Sequence, residues 1–357
     1  MPSAERIVGV VPFSRDEDNP ASRMRGFEVA RALSRLGVRA AIVEPEQVSD
    51  CSVLILGRYA RYTYRRWRAL LREAHRAGTK VVFDLADNIF AWRRLSCQAV
   101  RHLPAWHRLP RCLRFWWEQR VMLDVVRDAD HVTTSSRPLM DLVSRHNPRC
   151  SVIPDIVGDR YFEFCKEHGP GETVRVLWTG YRDNLPHAEV LFEALKRIGG
   201  QHRFELCVVT SETRTSPYRG TESNREIVAG LPFQTCFIPW DRDRACEDLF
   251  TADIGVAPLQ PDSIKSSNKI VVFMAMGIPV VASPNYEYQQ LVENGRTGFI
   301  CSSPEEWAEA LDRLIGSPKL RAEMGAAGRR AIWSTHRSVA IGQQWKALIA
   351  SLMTQRS

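Results

Sequence analysis

The sequence lacks several features that would place it in a familiar class of protein. Its 357 residues include nine cysteines but no C-x-x-C pair, and an odd, scattered set argues against both a disulfide framework and a structural zinc site. The longest apolar run, residues 270–283, is interrupted by Gly277 and Pro279, so we expect no membrane span. The N-terminus has no basic-then-apolar signal. A reducing, cytoplasmic compartment is the prediction.

The chain also has little excess charge outside one segment. Its net charge is +8, but a count gives +11 for residues 58–120 and −3 for the remainder. The same segment holds five of the ten tryptophans. Three interpretations stay open: a surface for an anionic membrane or an acidic acceptor, a solvated arginine-rich face, or a nucleic-acid surface. Because no recognition motif supports the third, we expect no nucleic-acid partner.

Short β-branched runs alternate with helical stretches along nearly the whole chain. This alternation predicts α/β architecture with doubly wound parallel sheets, whose ligands lie at the carboxyl ends of the strands. The periodicity lapses after residue 155, where glycine and proline collect. We therefore expect two Rossmann-like domains facing across a cleft, residues 1–155 and 156–335, and a C-terminal helix within residues 336–357 that returns to the first domain. No G-x-G-x-x-G follows the first strand, which argues against a dinucleotide site.

One stretch of the second half has the character of an anion site. A buried strand is followed by a loop with Lys265 and small hydroxyl residues, and then by a helix that starts near Lys269. Free N–H groups and the positive end of the helix dipole favour an anion, and two lysines add full charges, so a diphosphate would fit. The alternative is that Ser267 or Asn268 merely caps the helix and that the lysines are solvated.

Three motifs in this half carry a family resemblance. They are A-D-I-G-V-A-P-L at residues 252–259, K-S-S-N-K with F-M-A-M-G-I-P-V-V-A-S within residues 265–283, and L-V-E-N-G-R-T-G at residues 291–298. They resemble the donor half of family-4-type (group 1) glycosyltransferases with the GT-B fold, over residues 125–333 well and over the first 120 weakly. The resemblance implies transfer of a sugar from a nucleotide diphosphate sugar (UDP-, GDP- or dTDP-linked) to a glycan, glycolipid or lipid-linked acceptor. It also implies retention of configuration, no bound metal or other cofactor, and a location in the cytoplasm or on the inner face of the membrane.

The resemblance further implies which residues bind the donor. Arg182 and Lys265 are expected to act catalytically by holding the leaving diphosphate, which positive groups stabilise in place of a metal. The usual turn is altered here to G-Y-R-D-N at residues 180–184, and a surface arginine is the alternative for Arg182. The implied donor-binding residues are Gly180, Arg182, Ile238, Trp240, Lys265, Ser266, Ser267, Asn268 and Lys269.

The chain departs from the family at its paired glutamates. In the matching register Ile264 and Val272 stand where the two carboxylates are expected. The second carboxylate normally accepts hydrogen bonds from the ribose, so its loss affects the choice and affinity of the nucleotide. A catalytically degenerate nucleotide-sugar or glycan-binding protein of the same fold is the alternative function.

In the first half, two loops after strands are candidates for the acceptor side. Arg23 and Arg25 lie in a stretch that follows the first strand and could reach a donor phosphate or an acidic acceptor, or could pair with nearby aspartates. Asp87 and Asn88 follow a later strand. Asp87 is the predicted catalytic carboxylate that orients or deprotonates an acceptor hydroxyl, and capping of a following helix is the alternative.

Overall fold

The computed structural model describes residues 6–354 apart from 59–63, 87, 92–116, 118, 170, 172, 217–219 and 261–262. The chain forms two compact units. The first comprises Met1–Ile156 and Ser338–Ser357, and the second comprises Val157–Arg337.

The first unit is built on a parallel sheet of six strands. In chain order these are β1 Ile7–Val11, β2 Ala40–Ile42, β3 Cys51–Gly57, β4 Lys80–Leu85, β5 His131–Thr134 and β6 Cys150–Val152. They are arranged in the order β2-β1-β3-β4-β5-β6. The central strands are almost continuous apolar runs because both faces of a parallel sheet are covered.

Helices of the first unit connect these strands. They are α1 Pro20–Ser22, a π-helical segment Arg23–Phe27, α2 Glu28–Arg35, α3 Tyr64–Ala77, α4 over residues 119–128 and α5 Arg137–Val143, with 3₁₀ turns at Pro45–Asp50 and Ile89–Ala91. The helical run after β1 begins at Pro20, where the Asn19 side chain accepts a bond from the Ser22 N–H. It passes close to β1, since a Cβ on Gly26 would lie 2.6 Å from Pro12 Cβ.

A C-terminal helix, α14 Ser338–Thr354, packs within the first unit. Its buried side chains Ile341, Trp345 and Ile349 join the apolar core formed by β1, β3 and α2. Gly342 permits a close approach to α2, because a Cβ there would lie 3.0 Å from Ala32 Cβ. The return of this helix to the first unit agrees with the sequence prediction.

The second unit repeats the architecture. Its main sheet contains β7 Val174–Thr179, β8 Phe204–Thr210, β11 Thr235–Pro239, β12 Ile254–Ala257, β13 Val280–Ala282 and β14 Gly298–Ile300. The order is β11-β8-β7-β12-β13-β14, and every neighbouring pair is parallel. A separate antiparallel hairpin joins β9 Thr213–Ser216 to β10 Gly220–Ser223.

Helices cover both faces of this sheet. They are α6 Arg160–Glu163, a 3₁₀ helix Arg182–Ala188, α7 Glu189–Ile198, α8 Asn224–Ala229, α9 Ala245–Phe250, α10 Asn268–Ala275, α11 Tyr286–Leu291, α12 Pro304–Gly316 and α13 Pro318–Trp333. Helix α10 lies directly on β12: a Cβ on Gly255 would lie 2.3 Å from the Phe273 ring. This contact packs the second half of α10 closely against β12.

These two parallel sheets give the α/β, doubly wound class predicted from the sequence. Among the described helices, none is both long and apolar enough to cross a membrane.

Candidate functional site

The carboxyl edge of the second sheet brings together residues that the sequence predicted for the donor. Strand β7 ends just before Gly180, and the Gly180 carbonyl accepts a 2.8 Å bond from Thr210 Oγ1 at the end of β8. The Thr210 carbonyl in turn accepts a 2.9 Å bond from the N–H of Trp240, just after β11. Three neighbouring strands are therefore linked at the edge where parallel sheets bind ligands.

Helix α10 points its first turn at this edge. It begins at Asn268, one residue before the predicted start, and the side chain of its N-cap residue Ser267 makes no capping bond. The preceding loop is held in place by Asn285, whose Nδ2 donates to the Ser263 carbonyl at 2.6 Å. A helix N-terminus without a side-chain cap retains the free N–H groups and the dipole that favour an anion.

Lys269 is the most unusual side chain of the site. Its stem is partly exposed, but its Nζ is buried and, within the described part of the chain, has no hydrogen-bond partner. Nζ lies 5.2 Å from the centroid of the Trp178 ring, and a Cβ on Gly180 would come within 3.0 Å of it. Burial, followed by the positive charge of Lys265, lowers the pKa of Lys269 to about 7. A buried ammonium without a counter-ion is costly, which is the physical reason for the shift.

Lys265, whose charge acts on Lys269, has different surroundings. Its side chain is exposed, and Nζ donates a 3.0 Å bond to Asn184 Oδ1 on the 3₁₀ helix Arg182–Ala188. This bond joins the two loops that carry the predicted phosphate ligands. The side chain of Arg182 lies outside the described part, so its predicted role stays a prediction.

His187 also faces the two lysines. Burial, and then the charges of Lys265 and Lys269, lowers the pKa of His187 to about 4. Its imidazole is therefore neutral at pH 7, and within the described chain Nδ1 is buried without a partner. The two lysines come from a segment about eighty residues away, so the sequence around His187 gives no signal of this environment.

The remaining donor-side residues occupy the same edge. Ser266 and Asn268 are partly buried in the first turn of α10 and the loop before it, and Ser267 is buried. Ile238 and Trp240 are partly buried and pack against the apolar core of the second unit. These five residues therefore lie at the same sheet edge as Gly180 and Lys269, and their binding roles stay predictions.

The positions of the missing glutamates have no described substitute carboxylate. Val272 is 6% exposed and belongs to the apolar core around β12 and α10, while Ile264 is partly exposed in the loop. A valine in the core offers no acceptor to a sugar hydroxyl. Among the described residues, this edge therefore has cationic groups and no carboxylate at either of the family's two positions.

Arg25, one of the predicted acceptor-side arginines, is engaged by the protein itself. It is 6% exposed; its Nε donates to Asp84 Oδ2 at 2.9 Å, Nη2 bonds to Asp84 Oδ1, and Nη1 lies 3.3 Å from Asp155 Oδ1. Burial opposes its charge, but Asp84 and then Asp155 outweigh burial, so the pKa of Arg25 is raised. The guanidinium also lies 5.7 Å from the ring centroid of Trp345 on α14. These contacts make Arg25 a structural link and do not favour the predicted ligand role.

The other acceptor-side candidates have local contacts. Arg23 Nη1 donates to the Glu17 carbonyl at 2.9 Å and so ties down the loop after β1. Asn88 Oδ1 accepts from the Phe90 N–H at 3.1 Å, at the start of the 3₁₀ turn Ile89–Ala91. Asp87 lies outside the described residues. A cavity of about 20 Å³ beside Phe13, Arg25 and Asp84 has room for about one water.

The basic segment is described only in part. On α3, Trp67, Leu70 and Leu71 are buried, and the Trp67 ring lies 6.1 Å from that of Phe83, edge to face. The exposed side of this helix carries arginines, namely Arg65, Arg66, Arg68, Arg72 and Arg76. The apolar side of α3 is therefore used by the core, and only the charged side is available to a membrane or an acceptor.

One group of potential metal ligands occurs among the described residues. Glu205 and Cys207 on β8 and Cys236 on β11 place their ligand atoms within 4.8 Å of one another. Both carboxylate oxygens of Glu205 are already occupied, Oε2 by Arg175 at 2.8 Å and Oε1 by Gln234 at 3.3 Å. This group lies away from the strand ends that hold the lysines.

Solved structures show the same architecture over nearly the whole chain. A glycosyltransferase from Rickettsia africae matches with a TM-score of 0.69 and 14% identity, covering 99% of this chain and 100% of that one. The sucrose-phosphate synthase of Thermosynechococcus elongatus gives 0.68 and 14%, over 99% and 100%. Anabaena HepE in complex with UDP and glucose gives 0.66 and 14%, over 97% and 100%. Similarity of this kind defines a protein of the GT-B fold.

The sequence match is narrower and more specific. Residues 156–317 match the family model for glycosyl transferases group 1. The chain is therefore a glycosyltransferase whose second unit is a group 1 domain. No curated sequence matches it.

Proposed function

We propose that this enzyme transfers a sugar from a nucleotide diphosphate sugar, bound by the second unit, to a glycan, glycolipid or lipid-linked acceptor that the first unit binds. Transfer proceeds with retention of anomeric configuration and without a bound metal. The observation that carries the proposal is the buried Nζ of Lys269 beside Gly180, which has no hydrogen-bond partner among the described residues. A diphosphate oxygen supplies the partner that this ammonium lacks in the described part of the protein.

The reaction needs little chemistry from the protein beyond this charge. The bond between the anomeric carbon and the diphosphate oxygen breaks, and the acceptor oxygen bonds to the same carbon on the same face. The acceptor hydroxyl proton passes to the departing diphosphate. Lys269 and the first turn of α10 stabilise the negative charge that develops on the leaving group. Positive groups fixed in advance replace what a metal would otherwise supply.

The nature of the donor is supported by a relative. Anabaena HepE has been solved with UDP-glucose as well as with UDP and glucose. The cationic edge described above suits the diphosphate that all nucleotide sugars share. The proposed donor class is therefore the UDP-, GDP- and dTDP-sugars.

A panel of UDP-glucose, GDP-mannose and dTDP-glucose tests the proposal. Binding is measured by calorimetry, and turnover is measured as release of nucleoside diphosphate with a membrane lipid extract as the acceptor source. Lys269→Met should weaken donor binding about 100-fold, the effect of losing one or two hydrogen bonds from a charged group. The matched control is Gly200→Ala, where an added Cβ meets nothing within 4 Å; this variant should bind as the native chain does.

A second function is favoured by the missing glutamates. With Val272 buried in the core, the chain could bind a nucleotide sugar or a glycan without transferring the sugar. Thermal stabilisation by a donor with no hydrolysis and no transfer to lipid extract would support this binding role. Turnover that disappears in Lys269→Met would exclude it.

Residues 58–120 are the proposed surface for an anionic or membrane-held acceptor. The described part that supports this is the exposed arginine side of α3. Its buried tryptophan and leucines contribute nothing to insertion into lipid, so binding there would be electrostatic and would fall with added salt.

A further inference from the structure

The amine of Lys269 lies where its charge is poorly supported before a donor arrives. Nζ is buried, and among the described side chains it has neither a hydrogen-bond partner nor a carboxylate that pairs with it. The groups around it come from three elements. Trp178 and Gly180 at the end of β7 bring no charge, Lys265 from the loop before α10 brings a like charge, and His187 on the 3₁₀ helix is neutral near pH 7.

The only described support for the ammonium is weak. The Trp178 ring faces it at 5.2 Å, and a cation–π contact contributes less than a carboxylate would. Burial and Lys265 together lower the pKa of Lys269 to about 7. Near neutral pH the free protein therefore contains both the charged and the uncharged amine, since both forms are populated when pH is close to the pKa.

We propose that Lys269 takes up a proton when the donor binds, so that the strength of the donor site depends on pH. The inference rests on the proposed function, because the diphosphate is what favours the ammonium. Two negative charges brought next to Nζ reverse the balance that burial and Lys265 set in the free protein. The uncharged amine donates more weakly to a phosphate oxygen than the ammonium does, so donor affinity falls as the free protein loses this proton.

The size of the effect follows from linkage. Complete protonation in the complex requires uptake of about 0.9 proton at pH 8, about 0.5 at pH 7 and about 0.1 at pH 6. Donor affinity should then be about tenfold weaker at pH 8 than at pH 6. A nucleotide sugar is a suitable probe because its diphosphate, blocked at both ends, keeps its charge over this range.

His187 is the competing proton acceptor. It lies beside the same two lysines, and burial, then Lys265 and Lys269, holds its pKa at about 4 in the free protein. A bound diphosphate would raise this pKa too. His187→Phe removes the imidazole while leaving Lys269, so the two origins can be separated.

The test is calorimetric titration of the full chain with whichever of UDP-glucose, GDP-mannose and dTDP-glucose binds most tightly. Titrations at pH 6, 7 and 8, each in two buffers of different ionisation enthalpy, give the number of protons taken up. We expect the values above for the native chain and for His187→Phe, and uptake near zero at every pH for Lys269→Met and Lys269→Arg. An NMR titration of lysine-labelled free protein should show one resonance, absent from Lys269→Met, that titrates near pH 7.

Several results would overturn the inference. Binding with less than about 0.2 proton taken up at pH 8 would overturn it while leaving the proposed donor site intact. Uptake lost in His187→Phe but retained in Lys269→Met would assign the proton to the histidine. Binding of none of the three nucleotide sugars would overturn the proposed function and this inference together, so the two failures are distinguishable.

Discussion

Arg25 in the first unit and Lys269 in the second unit both have a buried cationic group near the start of a helix, and the two have opposite surroundings. Arg25 in the first unit is enclosed by Asp84, Asp155 and the Ile153 carbonyl. Lys269 in the second unit has no described partner and a like-charged neighbour in Lys265. The pKa of the arginine is raised, and the pKa of the lysine is lowered.

The different surroundings indicate different roles for the two side chains. A buried charge whose hydrogen bonds are all supplied by the protein is part of the structure, because an approaching ligand would have to displace existing partners. A buried charge without partners lowers the stability of the free protein. Binding of an anion offsets this cost. Both residues lie near the carboxyl edge of a sheet, so position does not distinguish their roles. Their hydrogen-bond partners do distinguish them.

The largest expected effect is on stability. Arg25→Met leaves Asp84 buried at 4% exposure with Thr133 Oγ1 as its remaining described side-chain donor. Removing one partner of a buried ion pair should lower the free energy of unfolding by about 3–5 kcal/mol, measured by urea titration. Arg23→Ala is the control, since this side chain is only partly buried and donates to the backbone carbonyls of Glu17 and Asp18. A loss below about 1 kcal/mol in Arg25→Met would remove the contrast with Lys269.

Lys269→Met should instead raise the free energy of unfolding of the free protein at pH 7, because it removes a buried and poorly supported charge. The native pKa of about 7 lies below that of an unfolded lysine, about 10.4. The unfolded chain therefore binds more protons between these values, and native stability rises with pH there. The variant lacks this rise. Its stability advantage over the native chain should shrink by about 2 kcal/mol from pH 7 to pH 9 in paired urea titrations; a constant difference would contradict the assignment.

Gly180→Ala should displace the Lys269 side chain while leaving its amine unchanged. The added Cβ would lie 2.8 Å from the Trp178 ring and 3.0 Å from Lys269 Nζ, so the ammonium must move. We expect about tenfold weaker donor binding, near 1.4 kcal/mol, with the fold retained by circular dichroism. Donor affinity equal to that of the native chain would show that Nζ is not confined at this turn.

Lys265→Ala should have a smaller effect on affinity. Its ammonium is exposed and bonds to Asn184, so its loss should weaken donor binding by no more than about fivefold. Because the charge of Lys265 lowers the pKa of Lys269, this variant should also shift the pH midpoint of donor binding upward. An unchanged midpoint would separate the two lysines electrostatically.

The smallest expected effect concerns the arginine side of α3. The double variant Arg72→Gln, Arg76→Gln removes two exposed charges. It should weaken the free energy of binding to anionic vesicles by about 1 kcal/mol per charge at most, measured by co-sedimentation. Neutral vesicles are the control and should not bind either protein. If the native chain binds neither kind of vesicle, the segment is an ordinary solvated face.

Much of the fold could be predicted from local pattern. Runs such as Val53–Leu56 and Val280–Ala282 are apolar because parallel strands are buried on both faces, and this signal needs only neighbours in sequence. The region proposed as the donor site is local in sequence too. The two lysines, the hydroxyl residues and the start of α10 all lie within residues 265–269, and the family match covers them.

The individual roles within that region needed tertiary contacts. Arg25 and Lys269 were equal candidates for binding an anion, because each is a cation near a helix start after a strand. Asp84 is 59 residues from Arg25 and Asp155 is 130 away, so no local pattern announces the pairs. The Trp178 ring and the Gly180 turn that enclose Lys269 are likewise about 90 residues distant.

Sequence alone therefore determined the α/β class, since this depends on short-range periodicity, and it predicted the stretch proposed to hold an anion, since those residues lie within about one turn of helix. Tertiary structure decided which of the two cations is paired by the protein and which has no partner among the described residues. That distinction depends on burial and on the partners that distant segments bring into contact, and both exist only once the chain has folded.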